Sequence, residues 1–472
     1  MARTLFPSYL IIHERRVAWA GMEVSPRDPA ARGHRVGSEQ PEASRMMNQA
    51  ESVEMHPPRP QVWVVGGGKG GTGKSLVAAS LGIHLTEMGR RVVLVDGDLG
   101  TPNLHTFLGL KAPAAGLVDV LRRDLPSLDA AAVDTGVPRL RLISGARNSL
   151  DVESLKHFQK TRLIRLLLGV SADVVVVDLG AGTSLGALDF FAIADRGLLV
   201  IQPEPTSIEN CYRFLRAAFL RRLQQIGRTL GHQGIIDLVM RHRSRPGPGG
   251  QIGILEEIRR IDAFVAETLE SHLEAFLPNL VLNQVRDHDD ARLGESMQIA
   301  AERLVGIPLR FAGAIPYDPV LVRSVKRRRP YLVEYPRSRT AEAFRAVGER
   351  VATTPARSAM APGLGGSAPL IDPHAVLELA RGADQAEIVA AYMRLRQALR
   401  FDSPALVSLD CDLERRFALT EVEQAFRALS RNASAGEARF TDRVSPPWPD
   451  ARHPRARPSC GPARSPAPWP GP

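Results

Sequence analysis

The segment from Val65 to Ser75 holds the residues whose types and spacing best suit chemistry, and it reads VGGGKGGTGKS. It contains the pattern G-x-x-x-x-G-K-S, in which glycines let backbone N–H groups turn inward around phosphate oxygens. Lys74 is then expected to neutralise the β- and γ-phosphates, and the Ser75 hydroxyl to bind Mg²⁺. The predicted phosphate-contacting residues are Gly68, Gly70, Gly71, Thr72, Gly73, Lys74 and Ser75.

The segments on either side of this loop fit the motif. Gln61–Gly66 is an apolar run that predicts a short buried strand, and Leu76–Met88 has the apolar spacing of a helix. The N-terminus of that helix would place its partial positive charge beneath the phosphates. A glycine-rich turn that binds nothing is the alternative, and the agreement of strand, loop and helix disfavours it.

Carboxylates follow two further predicted strands. One strand leads into Asp96 and Asp98, and another ends in Asp178, with Gly180 close behind. Because the carboxyl ends of parallel strands meet at one edge of a sheet, these residues should face the same crevice as the glycine-rich loop. Asp178 is expected to hold a Mg²⁺-bound water, and the N–H of Gly180 to approach the γ-phosphate. A solvated or helix-capping aspartate is the alternative for each carboxylate.

The loop resembles that of the MinD/ParA ATPases, whose deviant form KGGTGKS carries an additional lysine, here Lys69. The resemblance implies that Lys69 reaches the phosphates of the partner subunit's nucleotide in a face-to-face dimer. A lysine five residues before Lys74 cannot easily serve the same phosphate from the same side, so a role across an interface is chemically sensible. An exposed, solvated lysine is the alternative, in a chain that uses Lys rarely.

The same resemblance assigns roles to other residues. It implies that Asp98 positions or activates the attacking water, and that Asp96 supports Mg²⁺ through its water shell. Asn283, at the end of another predicted strand, matches the family's adenine-pairing Asn, and Pro316 matches the loop that closes over the base. The implied cofactors are ATP and Mg²⁺, with Ser75, Asp96 and Asp178 on the metal side. Lys69, Lys74 and Asp98 are the predicted catalytic residues.

Two segments point to one branch of the family. Asp178–Gly182 reads DLGAG and Gln202–Asn210 reads QPEPTSIEN, which look most like the FlhG-type regulators of flagellar number. This branch implies a slow, dimer-dependent ATPase that switches with ATP and positions cellular machinery. The alternative is a ParA-like partitioning ATPase that binds DNA through the basic run Arg323–Arg329, although a solvated helix end is the favoured interpretation of that run. A non-catalytic scaffold is the third hypothesis, and the intact loop disfavours it.

Strands that alternate with helical segments predict an α/β fold. We expect a P-loop NTPase with a mostly parallel sheet covered by helices on both faces, plus a small C-terminal all-α domain. A break is predicted over 230–251, followed by a helix over 255–276, as an insertion before the strand at Leu280. The predicted strands are Gln61–Gly66, Arg91–Val95, Val174–Asp178, Gly197–Ile201, Leu280–Asn283 and Ala312–Ile315.

Composition shifts along the chain predict its domain organisation. Residues 1–60 and the Pro- and Arg-rich residues 434–472 lack apolar periodicity and are expected to be disordered. Residues 61–355 are expected to form the ATPase domain, 356–371 a linker, and 372–433 a small helical domain. That helical domain is expected to bind a protein partner that the sequence does not identify.

The overall composition excludes several classes of protein. The net charge is +10, but only six of the 61 basic residues are Lys. So strong an excess of Arg is typical of a compositional bias of the genome, and the positive charge is therefore weak evidence for nucleic-acid binding. Three scattered Cys without a CxxC pair argue against iron–sulfur carriers and zinc ribbons. No apolar run of about 18 residues occurs. A cytoplasmic protein is therefore predicted. The resemblance to the MinD/ParA ATPases implies an ATP-dependent homodimer, and peripheral contact to membrane, cell pole or DNA is left open.

Overall fold

The computed structural model describes residues 59–98, 101–145, 157–180, 182, 185–242, 253–273, 276–353, 372–400, 402–406, 409 and 412–434. The predicted disorder of residues 1–60 and 434–472 concerns residues that lie almost wholly outside this part of the chain. The predicted linker 356–371 lies entirely outside it.

Among the described residues, eight strands form one sheet: β1 (Gln61–Gly66), β2 (Val92–Asp96), β3 (Val133–Asp134), β4 (Leu140–Ile143), β5 (Val174–Asp178), β6 (Arg196–Ile201), β7 (Asn279–Val285) and β8 (Arg310–Pro316). Their order across the sheet is β3-β4-β2-β5-β1-β6-β7-β8. Only β3 with β4 is an antiparallel pair. All six predicted strands are present, and the carboxyl ends of β1, β2 and β5 meet at one edge.

The central strands are apolar on both faces. In β1, Val62 and Val64 enter one apolar core cluster, whereas Trp63 and Val65 enter the other. A strand that is buried on both faces needs a layer of helices on each side, as parallel sheets have. The predicted fold class, a mostly parallel sheet covered on both faces with further helices at the C-terminal end, is confirmed.

Helices form the two outer layers: α1 (Lys74–Glu87), α2 (Leu104–Phe107), α3 (Leu117–Arg122), α4 (Leu128–Ala131), α5 (His157–Leu168), α6 (Leu185–Ala192), α7 (Pro205–Leu230), α8 (Gln233–His242), α9 (Gly253–Ile261), α10 (Ala263–Leu273), α11 (His288–Ala300), α12 (Pro319–Lys326), α13 (Tyr331–Glu334), α14 (Arg339–Thr353), α15 (Pro373–Val376), α16 (Gln385–Ala398) and α17 (Asp412–Ser434). Apolar side chains of α1, α2 and α12 to α14 join one core cluster, and those of α3 to α11 join the other, which also includes α15 to α17 through their packing on α11 and its C-terminal turn. None of the described helices has the length and apolar character needed to span a bilayer.

The helical insertion differs from the prediction in two places. The break predicted over 230–251 is wrong in part, because α8 occupies Gln233–His242 and buries Ile236 and Val239. The helix predicted over 255–276 is divided at Asp262, whose carboxylate accepts a hydrogen bond of 3.1 Å from the N–H of Val265 at the start of α10. A capping aspartate ends the periodicity that made the segment resemble one helix.

The C-terminal helices pack against α11 and share its core cluster. Asp384 and Glu387 form a reciprocal capping box at the start of α16. Tyr392 on α16 stacks on Phe426 of α17, with ring centroids 4.1 Å apart. The boundaries of a separate helical domain stay a prediction.

Candidate functional site

The glycine-rich loop joins β1 to α1 and turns sharply at two glycines. Gly71 has φ +77° and Gly73 has φ +94°, in the left-handed region that favours glycine. Gly73 immediately precedes the first residue of α1, and its carbonyl accepts the first helical hydrogen bond, 2.9 Å from the N–H of Val77. The loop therefore delivers its backbone to the positive end of a helix, which is the geometry that binds phosphate.

The glycine-rich loop also packs closely against α7 and β7. A Cβ on Gly68 would lie 2.3 Å from the carbonyl oxygen of Asn210 on α7. A Cβ on Gly73 would lie 2.2 Å from Nδ2 of Asn283 on β7. Close packing therefore requires glycine at position 68, and close packing together with a left-handed backbone requires it at position 73.

Lys74 lies in the interior of the site with only 7% of its surface exposed. Its Nζ donates a hydrogen bond of 3.0 Å to the carbonyl oxygen of Lys69. Burial lowers the pKa of Lys74, and the nearby charges of Asp178 and Asp98 oppose that shift. A buried ammonium beside backbone N–H groups is suited to bind an anion of high charge density.

Asp96 and Asp178 lie side by side because they end the neighbouring strands β2 and β5 and are partners in the register. Burial raises the pKa of Asp178 to about 8, against the hydrogen bond that it receives from Ser75. Burial likewise raises the pKa of Asp96 to about 7, although its carboxylate accepts from the N–H of Leu104 at 2.9 Å. A cation bound beside these two carboxyl groups would stabilise their ionised forms and so offset the cost of burial.

Asp98 follows β2 and turns toward the loop after β5. Its carboxylate accepts hydrogen bonds from the N–H and the hydroxyl of Thr101, at 3.0 and 3.1 Å. A Cβ on Gly180 would lie 3.1 Å from Cγ of Asp98, so the two residues are in contact distance. The structure therefore brings Asp98, Gly180 and Lys74 into one neighbourhood, as predicted from the strand ends.

Lys69 is turned away from Lys74's side chain and toward the start of α7. Its Nζ donates a hydrogen bond of 2.7 Å to Oε2 of Glu204, with which it forms an ion pair. The hydroxyl oxygen of Thr206 lies 3.0 Å away as a second acceptor. Glu204 lies in the QPEPTSIEN segment, and no role for it is predicted from the sequence. A glutamate just before Pro205 and a helix was the signal that could have found it.

The residues predicted to contact a base occupy the carboxyl ends of β7 and β8. Asn283 is 3% exposed, and its Nδ2 donates to the carbonyl of Thr72 at 2.8 Å. Its contact with adenine stays a prediction, since in the structure the carboxamide fixes the phosphate loop. Pro316 ends β8. The guanidinium of Arg286 lies over the ring of the next residue, Tyr317, 4.8 Å from the ring centroid. The exposed cation–π pair of Arg286 and Tyr317 is not predicted from the sequence.

Two orphaned polar atoms test whether the site fits a magnesium-bound nucleotide. Oδ1 of Asp178 and Oγ1 of Thr72 are buried without a hydrogen-bond partner. Buried polar atoms of this kind normally have a partner, so both are suited to a ligand or its water shell. Within the described ranges, no group of three or more His, Cys, Asp or Glu side chains is placed to hold a metal alone. Mg²⁺ fits such a site because it takes one or two carboxylates together with substrate phosphates and water.

Comparisons with known proteins identify the family to which the chain belongs. The family model described as the CobQ/CobB/MinD/ParA nucleotide binding domain matches residues 63–331, more than half of the chain. The chain is 29% identical over 303 residues to the antiactivator FleN of Pseudomonas aeruginosa, covering 64% of this chain and 89% of that protein. It is 31% identical over 156 residues to the septum site-determining protein MinD of Synechocystis, covering 33% of this chain and 58% of that protein.

Solved structures also align with the chain. The cell division ATPase MinD of Pyrococcus furiosus aligns with a TM-score of 0.40 and 22% identity, over 62% of this chain and 98% of that one. The Mg-ADP complex of MinD from Pyrococcus horikoshii aligns with a TM-score of 0.41 and 24% identity, over 62% of this chain and 96% of that one.

Proposed function

Because the chain belongs to the CobQ/CobB/MinD/ParA nucleotide-binding domain family, we propose that it binds and hydrolyses ATP and dimerises when ATP is bound. The observation that carries the proposal is the separation of two lysines within one loop. Lys74 lies buried beside the carboxylates, whereas the ammonium of Lys69 is held by Glu204. In a dimer, the ammonium of Lys69 would bind the phosphates of the nucleotide in the partner subunit.

Nucleotide binding follows from the loop and the helix behind it. The backbone N–H groups of Gly70 to Gly73 would surround the phosphates, and Lys74 would neutralise the β- and γ-phosphates. Ser75, Asp96 and Asp178 would hold the hydrated Mg²⁺. When bound, Mg²⁺ would supply positive charge that offsets the negative charge of the phosphates.

Hydrolysis needs a positioned water more than a strong base, because the protein contributes mainly orientation and charge. Asp98 is the residue for that role, since two hydrogen bonds from Thr101 fix its carboxylate beside Gly180. Asp98 would orient the attacking water and accept its proton, while the N–H of Gly180 contacts the γ-phosphate.

Dimerisation would take Lys69 out of its own subunit's ion pair. The side chains of Lys69 and Glu204 are 34% and 53% exposed, so the ammonium has a short path to a second molecule. An exposed ion pair contributes at most about 1 kcal/mol, which a partner's triphosphate can exceed.

Analytical ultracentrifugation with Mg²⁺ and a non-hydrolysable ATP analogue tests the proposal. We expect wild type to dimerise, Lys74→Ala to lose nucleotide binding, and Lys69→Ala to bind nucleotide while forming less dimer. Lys111→Ala, an exposed lysine outside the loop, is the matched control. Equal dimerisation of wild type and Lys69→Ala would contradict the role of Lys69.

The biological role that we propose is the placement of cellular machinery, of the kind that FlhG-type proteins control. The similarity to the antiactivator FleN across 64% of the chain supports it. A cytoplasmic protein that gathers at a membrane or cell pole is the expected localisation. A fluorescent fusion of wild type should show a polar or otherwise localised pattern that Lys74→Ala loses.

A ParA-like partitioning ATPase is the second candidate function. The exposed basic residues at the end of α12 favour it, since Arg323, Lys326 and Arg327 to Arg329 are all solvent-facing. This hypothesis predicts ATP-dependent binding to random-sequence DNA that is lost in a triple Ala variant of Arg327 to Arg329. Absence of a DNA shift with wild type at low salt would contradict it.

A further inference from the structure

The C-terminal module, defined as residues Pro373–Ser434, docks on the same helix that holds Lys69. We infer that this module is autoinhibitory: while docked on α7 and α11, it keeps the Glu204–Lys69 ion pair in place and opposes ATP-dependent dimerisation. The inference rests on the proposed function, because it requires that Lys69 act in a partner subunit.

The first contact of the module is with the second turn of α7. Tyr212 is 2% exposed, and its hydroxyl donates a hydrogen bond of 3.0 Å to the carbonyl oxygen of Ala405. Ala405 is fully buried in the 3₁₀ helix Pro404–Leu406. Tyr212 lies only about 10 Å along the helix axis from Pro205, the first residue of α7.

The same two turns of α7 contact the phosphate loop. Glu204 and Thr206 hold the ammonium of Lys69. The carbonyl oxygen of Asn210 occupies the space that a side chain on Gly68 would need. Because a short piece of regular helix moves as a unit, docking at Tyr212 restrains the residues that hold Lys69.

A second contact joins the module to the π-helical turn Ala301–Val305 that follows α11. Nη2 of Arg303 donates to the carbonyl of Val376 at 2.6 Å and to Oε1 of Glu378 at 2.9 Å. Arg394 of α16 binds the other carboxylate oxygen of Glu378 at 2.7 Å. Glu378 has φ +59°, a strained conformation for a residue with a side chain, so this bridge is a specific docking contact.

An apolar interface completes the docking. Ala405, Leu406 and Leu399 are buried in the same core cluster as Met297 of α11. Docking and dimerisation are therefore linked through α7. By thermodynamic reciprocity, whatever weakens docking favours the release of Lys69, and dimerisation in turn weakens docking.

Full-length point variants separate the docking contacts from contacts inside the module. Tyr212→Phe removes only the hydroxyl that reaches Ala405, and Arg303→Ala removes the bridge to Glu378. Tyr392→Phe and Arg427→Ala are the matched controls, because they make the same changes within the module, at the ring stacked on Phe426 and at the ion pair with Glu423 on α17. With Mg²⁺ and a non-hydrolysable ATP analogue, the two docking variants should dimerise at least about threefold more tightly than wild type. Controls should match wild type.

Unchanged or weaker dimerisation of both docking variants would overturn the inference, as would an equal gain in the controls. Circular dichroism and thermal unfolding establish that each variant is folded.

Hydrogen exchange in the wild type provides a measurement without any substitution. The N–H of Leu406, which donates to Ser403 at 2.9 Å, should exchange faster once the analogue and Mg²⁺ are added. Unchanged protection in a chain that does dimerise would overturn the inference.

The two proposals fail in different ways. If wild type and all variants bind no nucleotide and stay monomeric, the proposed function fails and this inference fails with it. If wild type binds the analogue and dimerises while the docking variants behave like their controls, only the inference fails. Dimerisation of the docking variants at concentrations where wild type is monomeric would support both.

Discussion

Asp98 is held at the end of β2 by two hydrogen bonds from Thr101 and lies against Gly180. We predict that Asp98→Asn keeps the size of the side chain and the nucleotide-driven dimer but lowers ATP hydrolysis by about 100-fold or more. Phosphate release measured beside ultracentrifugation tests both parts. Asp134→Asn, an exposed substitution on β3, is the control. Hydrolysis at the wild-type rate would remove Asp98 from the proposed chemistry.

Asp318 lies where β8 leads into α12. Burial alone would raise its pKa, but hydrogen bonds from the hydroxyl of Tyr331, the N–H of Val320 and the hydroxyl of Thr340 together lower it. The folded state therefore binds the proton less tightly than the unfolded state. Its contribution to stability is present above the ordinary aspartate pKa and is lost as pH falls below it.

Asp318→Asn should accordingly lower the free energy of unfolding by about 1 kcal/mol at neutral pH. Thermal unfolding of wild type and variant between pH 7 and pH 3 measures the effect. The difference in Tm should shrink as the pH falls toward 3. A difference that stays constant over this range would show that the carboxylate charge is not involved.

At the scale of elements, the start of α7 connects the phosphate loop to the rest of the molecule. Glu204 precedes the helix and pairs with Lys69, whereas Glu209, one turn later, pairs with Arg213 on the same helix. We predict that Glu204→Gln frees Lys69 and tightens the dimer formed with the ATP analogue. The variant has no ion pair between Lys69 and residue 204 to break when the ammonium moves to the partner subunit.

Glu209→Gln is the matched control for Glu204→Gln, because it removes the same charge from the same helix without touching Lys69. Sedimentation with Mg²⁺ and the analogue should show tighter dimerisation in Glu204→Gln alone. Weaker dimerisation in that variant would mean that Glu204 presents Lys69 to the partner instead of retaining it.

The elements that the sequence predicts well are those with a strong period of their own. Strands β1 and β5 are uninterrupted apolar runs and are found where expected. In contrast, β4 is not predicted from the sequence, because Arg141 interrupts its four residues and its pairing with β2 and β3 is a tertiary contact. The loop motif likewise predicts Lys74 and Ser75. The ion pair of Lys69 with Glu204 joins residues 135 apart, so only the tertiary structure reveals it.

At the scale of the whole molecule, the C-terminal helices belong to the same apolar core as the sheet's helical layer. The sequence predicts them as a separate unit because a Pro- and Gly-containing segment precedes them, and such composition is typical of linkers. Their docking on α7 and α11 uses long-range contacts that no local pattern encodes. The inferred docking would let the module respond to the nucleotide site, and its binding of a protein partner stays a prediction.

The central claim is that Lys69 serves the nucleotide of a second molecule, and mixing two inactive variants tests it directly. The Lys69→Ala variant still has Asp98 in its own site. The Asp98→Ala variant still has Lys69, which would reach the site of its partner. A mixed dimer therefore assembles one complete site if Lys69 acts across the interface.

An equimolar mixture should recover ATP hydrolysis up to about a quarter of the wild-type rate, because half of randomly paired dimers are mixed and each has one complete site. Each variant alone should remain at its basal rate. If the mixture is no more active than the two variants measured separately, although ultracentrifugation shows mixed dimers, Lys69 acts within its own subunit and the central claim is contradicted.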